Sequence, residues 1–384
     1  MDHTIDLDTI IARHRVFWRR EDSPLPMIGV YPDSHHIPSR FLPAENRILS
    51  PEDLDFELLM EDKAGLIAIE GGLDMPPVLI PTWEIPWVET IAGSRLASSN
   101  GHLWPMGLEN PETFLASKRL PSREDWLEKL ADVIDLLKDR VNSDHDADFV
   151  VAPGHVRGAA DVLAALLGHE ELCLLAMDDP AGCRDLLAAC NREALRVAVR
   201  MLDHAPHYSG GNFNRYGIWA PGGTVVYQED AAVILSPKLY NDLVFPLDRQ
   251  VAEVVPYAVL HLHSPCLDYV LPPLLELEEL KAVEVWADTL GPCLEELLPQ
   301  LKKIQERKSL IVGGDFSVEK LEAIIAGLHT GSLTIQAGGA LLQAYCEKKG
   351  IEPARYSGRY SGRLSGFGGR EKRDRLEIMK HRRE

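Results

Sequence analysis

Three consecutive segments share one plan: residues 257–277 (YAVLHLHSPCLDYVLPPLLEL), 280–301 (LKAVEVWADTLGPCLEELLPQL) and 309–325 (SLIVGGDFSVEKLEAII). Each opens with a short apolar run, ends that run in polar or small residues, and continues with a helical pattern. Repetition of strand then helix predicts a parallel sheet or barrel, because parallel strands need a crossover between them. Strand candidates stand near 27, 148, 215, 224, 257, 282, 309 and 332. Four of them recur at roughly 25 residues, the length of a strand, a helix and two short loops. The α/β class follows, and a (β/α)8 TIM barrel fits the eight runs best. A doubly wound sheet is the rival, but no Gly-rich phosphate loop follows the first run.

Three helices carry local signals. Residues 120–141 form one, with Ser122 as N-cap and Asp125 at the third position. Residues 180–204 form another, opened by Pro180. Residues 236–255 form a third, which Pro246 should kink or split. Residues 33–122 are irregular, rich in Pro and Trp, and too long for a plain loop, so they read as a cap or insertion. Residues 1–354 then make one barrel domain. Residues 355–384, with the repeats RYSG, RYSG and RLSG, make a flexible basic tail.

The formal charge is −19, although the last thirty residues are basic. An acidic body repels nucleic acid, which excludes a general nucleic-acid role. No stretch reaches the roughly 20 apolar residues of a membrane span. The first twenty residues lack the apolar core of a secretory signal, and six cysteines in 384 residues do not suggest a disulfide framework. The expectation is a cytoplasmic protein with reduced thiols, acting on a small molecule, with a homo-oligomer left open.

His261 and His263 stand two apart on a predicted strand, so their imidazoles share one face. Cys266 follows in the loop after it. Two His and one Cys suit a borderline-soft ion such as zinc, with a fourth position free for substrate. The plainer reading is a hydrogen-bonded core histidine and a small buried thiol. Asp288 and Asp315 end the next two runs, where carboxylates act as acid, base or ligand anchor, or cap the following helix. Tyr227, Glu229 and Asp230 form a further polar strand end. His155 and Arg157 end the run near 148, where Arg157 suits a carboxylate or phosphate. Trp286 precedes Asp288. Trp83 and Trp87 in the cap predict an apolar lid over the substrate, or simple packing. Ser-hydrolase, P-loop, zincin and thioredoxin motifs are absent from the sequence.

Residues 225–339 resemble the uroporphyrinogen decarboxylase-like superfamily. The likeness rests on HLHSPC (261–266), VLPPLLEL (270–277), AVEVWAD (282–288) and VGGDF (312–316), with YQEDAAVILSPKLYNDLVFP (227–246) upstream. WEIPWVETIAG (83–93) resembles a segment of the members related to corrinoid-dependent methyltransferases. The resemblance implies a TIM barrel of that type. It implies zinc held by an H-x-C pair and a later Cys, and methyl transfer between a small molecule, a corrinoid on a partner protein and a thiol. His261 matches the family His; His263 stands where Cys or Asp is usual. Cys266 or Cys293 would then have to supply a thiolate. Residues 13–32 lack the arginine-bearing motif of the true porphyrinogen decarboxylases. The leading expectation is a metal-dependent methyltransferase with His261, Asp288 and Asp315 as catalytic residues. The alternatives are a cofactor-free decarboxylase (a carboxy-lyase) using Arg157 and Arg215, and a non-catalytic ligand-binding barrel.

Overall fold

A computed structural model describes residues 7–31, 47–56, 67–71, 74–81, 85–99, 102–143, 149–314 and 316–350. Trp83, Asp315 and the tail at 355–384, all singled out above, lie outside them.

Seven strands form one all-parallel sheet: β1 (Met27–Tyr31), β2 (His155–Arg157), β3 (Val226–Gln228), β4 (Val259–His263), β5 (Ala282–Ala287), β6 (Ser309–Gly314) and β7 (Leu333–Gly338). Their order is β1-β7-β6-β5-β4-β3-β2. Each strand from β2 onward therefore pairs with its neighbour in chain order, and β7 returns beside β1, as in a barrel. Among the described residues β1 and β2 do not pair, so the ladder is seven strands and not a closed ring of eight. At the β1 edge the Glu70 N–H donates to the Val30 carbonyl at 2.9 Å. This brings up a small sheet of Ile67–Ile69, Val78–Leu79 and Val150–Val151.

Strand parity sorts the side chains into two layers. Leu260, Leu262, Val283, Val285, Leu310 and Val312 pack toward the helices. Val226, Val259, Ala282 and Ile311 pack on the inner face with Phe213, Tyr216 and Trp219. Helix α1 (Leu7–Arg19) packs with the inner-face layer at the sheet's N-terminal end; the helices behind the sheet include α2 (Ala159–Leu167), α3 (Pro180–His204), α4 (Phe245–Val254), α5 (Leu267–Leu275), α6 (Leu294–Arg307), α7 (Val318–Gly327) and α8 (Gly339–Lys349).

Three expectations are corrected. The run near 148 does not itself enter the main sheet: Val150–Val151 pair with Val78–Leu79, and the strand of the main sheet is the segment after Gly154. The run near 215 is not a strand of the main sheet. Asn214 Oδ1 accepts from the N–H groups of Tyr216 and Ile218 at 3.0 and 3.2 Å, folding the run into an antiparallel hairpin of Asn212–Phe213 and Trp219–Ala220. Trp219 then plugs the sheet's inner face, its indole donating to the Tyr208 carbonyl at 2.6 Å. Ser122 is not an N-cap. Arg123 takes that place before the helix Glu124–Asn142, and the Ser122 hydroxyl donates to Glu193 at 2.9 Å.

Other signals hold. Asp179 caps α3 by accepting from Gly182 at 2.9 Å. Pro246 lies in the first turn of α4, directly after a π-helical turn at Tyr240–Val244, because it lacks the N–H that would continue the preceding helix. Gly350 ends α8 in the left-handed conformation, φ +64°. The 33–122 segment contributes an antiparallel sheet of Arg47–Leu49, Leu96–Ser99 and His102–Pro105, and short helices at Trp87–Ile91 and Pro111–Ser117.

Candidate metal centre

Parallel register sets the site. Gln228, His261, Glu284 and Ile311 lie level across β3 to β6, and His263, Trp286 and Gly313 lie level one step further on. All have inner-face parity, so the two imidazoles leave the C-terminal end of β4 together, on the side where parallel α/β sheets place ligands. Gly313 makes room for them. A Cβ there would stand 2.7 Å from the Trp286 ring and 2.9 Å from Glu284 Oε1.

His261 Nε2 and His263 Nε2 face each other at 3.4 Å. Asp230, at the end of β3, brings Oδ1 to 3.9 Å from the first and 3.6 Å from the second. Each Nδ1 is backed by a carboxylate: His261 by Glu284, which is fully buried, and His263 by Asp288 at 2.8 Å. The Tyr216 hydroxyl stands 3.4 Å from His261 Nδ1, and Gln336 Nε2 donates to the Tyr216 carbonyl at 3.1 Å. The hairpin that plugs the inner face thus also forms the floor of the site.

Carboxylates accept, so each Nδ1 is assigned the proton and each Nε2 a lone pair. Two imidazole lone pairs and one carboxylate oxygen then converge with no donor between them. Asp230 Oδ1 is buried and meets no hydrogen-bond donor. Its other oxygen accepts from Gln228 Nε2 at 2.6 Å. Three acceptors aimed at one point repel one another unless a cation lies between them. Among the described residues this is the set of His, Cys, Asp and Glu close enough to hold an ion, its ligand atoms all within 4.8 Å of one another. Two imidazoles and one carboxylate, each imidazole held by a carboxylate behind it, is a donor set used for zinc and for non-haem iron. The residues fit a divalent transition ion.

Burial opposes charge on His261, but the Glu284 carboxylate outweighs it and raises the imidazole pKa. Burial would raise Asp288; hydrogen bonds from His263 and Ser264 outweigh it and hold the carboxyl below its ordinary value. Asp288 accepts from the Ser264 N–H and hydroxyl at 3.0 and 3.1 Å. It therefore positions His263 and does not cap the following helix.

The expected third ligand, Cys266, is not brought to the ion position. It sits in the turn Ser264–Cys266, its thiol donating to the His263 carbonyl at 3.1 Å. Burial pushes that thiol up to about 12, and Cys266 is not among the side chains that converge on the ion position. Cys293 is exposed at the start of α6. Tyr227 is not a substrate contact. It has the opposite parity to Gln228 and is buried on the helix side of β3. Trp87, 4% exposed, packs against Phe56 and Trp126 with ring centroids 6.2 and 6.1 Å away, as a core residue more than a lid.

Arg157 lies beside three carboxylates: Asp161 at 3.1 Å, Glu89 at 3.3 Å and Asp230 at 3.7 Å. It holds Asp230 in place from outside the cluster. Burial raises the pKa of Glu89, and Arg157 works against that rise. His155 is kept neutral, lowered first by burial and then by Arg215 and Arg157. Both His155 and Arg157 line a cleft of about 920 Å³ that reaches Asp230. Trp104 and Met106 of the cap hairpin, 54% and 53% exposed, form its outer wall with Val233 and Ile234.

Sequence reasoning passed over Asp230 and Glu284 as site residues. Asp230 was visible only as part of a polar strand end. Glu284 was visible as a carboxylate inside the apolar run AVEVWA at the parity of a core residue.

No protein-family model matches the chain, and no curated protein matches it. The carboxyl transferase domain of Rhizobium etli pyruvate carboxylase superposes with TM-scores of 0.30 and 0.31 at 12% identity, over 95% of this chain and 60% and 61% of that one. These values carry no argument. A methyltransferase from Methanosarcina mazei superposes with a TM-score of 0.57 at 13% identity, over 88% of this chain and 99% of that one. The chain is therefore similar in fold, over most of its length, to a solved methyltransferase.

Proposed function

We propose that this protein is a metal-dependent methyltransferase on a uroporphyrinogen decarboxylase-like barrel, passing a methyl group between a small molecule, a corrinoid on a partner protein and a thiol. The observation that carries the reading is the convergence of Asp230 Oδ1, His261 Nε2 and His263 Nε2, each imidazole backed by its own carboxylate. The fold similarity to a methyltransferase supports it.

Zinc bound there would acidify a coordinated thiol and favour its thiolate. His261, His263 and Asp230 would hold the ion. Glu284 and Asp288 keep the imidazole protons on Nδ1, so that Nε2 stays a donor of its lone pair. Replacing two thiolates by an imidazole and a carboxylate leaves one more unit of positive charge at the site. A bound thiol is then more acidic, and its thiolate individually less nucleophilic. The cleft beside Asp230 would take the methylated molecule, with Trp104 and Met106 excluding water and presenting an apolar rim to the corrinoid. Neutral His155 would line the pocket; Asp315 as a catalytic residue and Trp83 as a substrate contact, both outside the described residues, belong to the same proposal.

Metal analysis of the purified protein, combined with demethylation of methylcobalamin by a small alkyl thiol followed by absorbance, tests this. Near-stoichiometric zinc and thiol-dependent demethylation are expected, both lost in His263→Ala. Less than half-stoichiometric transition metal in the wild type sinks the metal site. The competing carboxy-lyase is weakened by Arg157, which already faces three carboxylates; it would depend on Arg215, whose charge reaches His155 and His261. Release of CO2 from a carboxylated substrate by the metal-free protein would favour that reaction instead.

A further inference from the structure

The opposite rim of the sheet holds a second cavity, of about 810 Å³, at the N-terminal ends of β4, β5 and β6. It is lined by six cations, Arg15, Arg19 and Arg20 of the first helix and its end, with Lys281, Arg307 and Lys308 of the approaches to β5 and β6. Two carboxylates, Glu276 and Glu278, face them. This concentration of positive charge stands on a chain whose net charge is −19.

Most of the six lack a counter-ion. Arg307 pairs with Glu276 at 3.4 Å and Arg19 with Glu21 at 3.7 Å. The other four meet no described carboxylate at ion-pair distance. Arg20 and Lys308 donate to the Gln305 and Leu277 carbonyls, Lys281 donates to the Glu278 carbonyl at 2.8 Å, and Arg15 lies 5.0 Å over the Trp219 ring. Cations near a helix end commonly satisfy carbonyls in this way. The carbonyls account for one donor each on Arg20, Lys308 and Lys281, out of the several that each cation carries. Lys308 is only 5% exposed. Burying an ammonium is costly: burial, with Lys281 and Arg307 close by, lowers its pKa, and the charges of Glu279 and Glu278 only partly offset this.

The backbone adds an independent sign. Arg20 sits at φ +56°, just past the end of α1, with its own N–H on Phe17 O and the Glu21 N–H on Val16 O at 3.1 Å. Glycine is the favoured residue in that left-handed position. An arginine there accepts local strain while its buried Nε finds no acceptor. Trp18 and Tyr257, edge to face at 5.1 Å, form an aromatic wall beside it.

We propose that this cavity is a second binding site, for a small phosphorylated molecule whose phosphate oxygens meet Arg20, Lys281 and Lys308. Guanidinium forks and ammonium groups recognise phosphate in this way. The volume lies in the range of small-ligand sites. The site is separate from the metal cluster, since it opens where β4 to β6 begin and the cluster lies where they end.

Inorganic pyrophosphate is the probe, titrated by calorimetry into the full chain at low ionic strength. Because pyrophosphate also binds metal ions, the titration is repeated on His263→Ala. Saturable one-site binding is expected in both. Lys308→Met and Arg20→Gly should each weaken it at least tenfold while leaving metal content unchanged. Arg20→Gly should not lower the melting temperature, because glycine relieves the left-handed strain; this separates a lost contact from a damaged fold. Absence of saturable binding up to about 1 mM, a free energy near 4 kcal/mol, would overturn the proposal. So would binding that disappears in His263→Ala but survives Lys308→Met and Arg20→Gly.

Discussion

Asp230 is the residue on which the proposed metal centre turns. Its Oδ1 is buried, without a donor, and aimed at two imidazole lone pairs. Asp230→Ala should cut metal content at least tenfold, whereas Cys266→Ala should leave it unchanged, both read by elemental analysis. Glu284→Gln leaves the ligands in place but allows the amide to donate where a carboxylate must accept. A loss of about 10- to 100-fold in metal affinity is expected, the usual effect of removing such a support, measured by competition with a chromophoric chelator. The His pair was legible because a period of two on a strand fixes a shared face whatever the surroundings. Its partners were not. Register between strands, which sets His261 level with Glu284 and Gln228, is a property of the assembled sheet and leaves no mark in local sequence. Cys266 was misleading for the same reason: spacing from His263 says nothing of where its thiol points.

Elements show the same division. Strands β4 to β7 were readable because each carries a short, mostly apolar run followed by a helical pattern at a regular spacing. The run at 215–222 looked similar, yet Asn214 and Gly217 (φ +72°) turn it back on itself. The helix α1 was legible as a helix but not as a fixed part of the sheet's lower end. His14 on that helix accepts from the Trp219 N–H at 2.8 Å through Nδ1 and donates to the Asp74 carbonyl at 2.8 Å through Nε2. Burial therefore pulls its pKa down to about 4. With the folded value below the unfolded 6.5, its contribution is full above pH 6.5 and is lost as pH falls toward 4, on the order of 3 kcal/mol. Imidazole NMR should find His14 neutral down to about pH 4, and urea unfolding should show the loss. Asp248 on α4 works in the opposite sense. Burial raises it to about 7 while Tyr240 donates to it at 2.7 Å. Its contribution is present below the unfolded carboxylate value and is lost as pH rises through 7. Asp248→Asn, which stays neutral, should be more stable than wild type at pH 8 by urea unfolding; equal or lower stability would contradict this.

At the scale of the whole molecule, the chemistry straddles two parts of the chain. The ends of β3 and β4 supply the proposed ligand atoms, and the cap hairpin at His102–Pro105 supplies an exposed aromatic wall of the cleft. No helix among the described residues is long and apolar enough to cross a membrane. An ion bound only by the folded state stabilises it by mass action, about 2.7 kcal/mol at a hundredfold excess over Kd. Chelator should therefore lower the wild-type melting temperature by several degrees and leave Asp230→Ala unmoved, measured by scanning calorimetry. Strand β4 has one further consequence. Val259, His261 and His263 alternate with Leu260 and Leu262, which belong to the layer beneath the helices. Sliding this strand by a single residue would send both imidazoles into grease and Leu262 into the cleft. Packing of the interior therefore locks the direction in which positions 261 and 263 open, whatever side chain stands there.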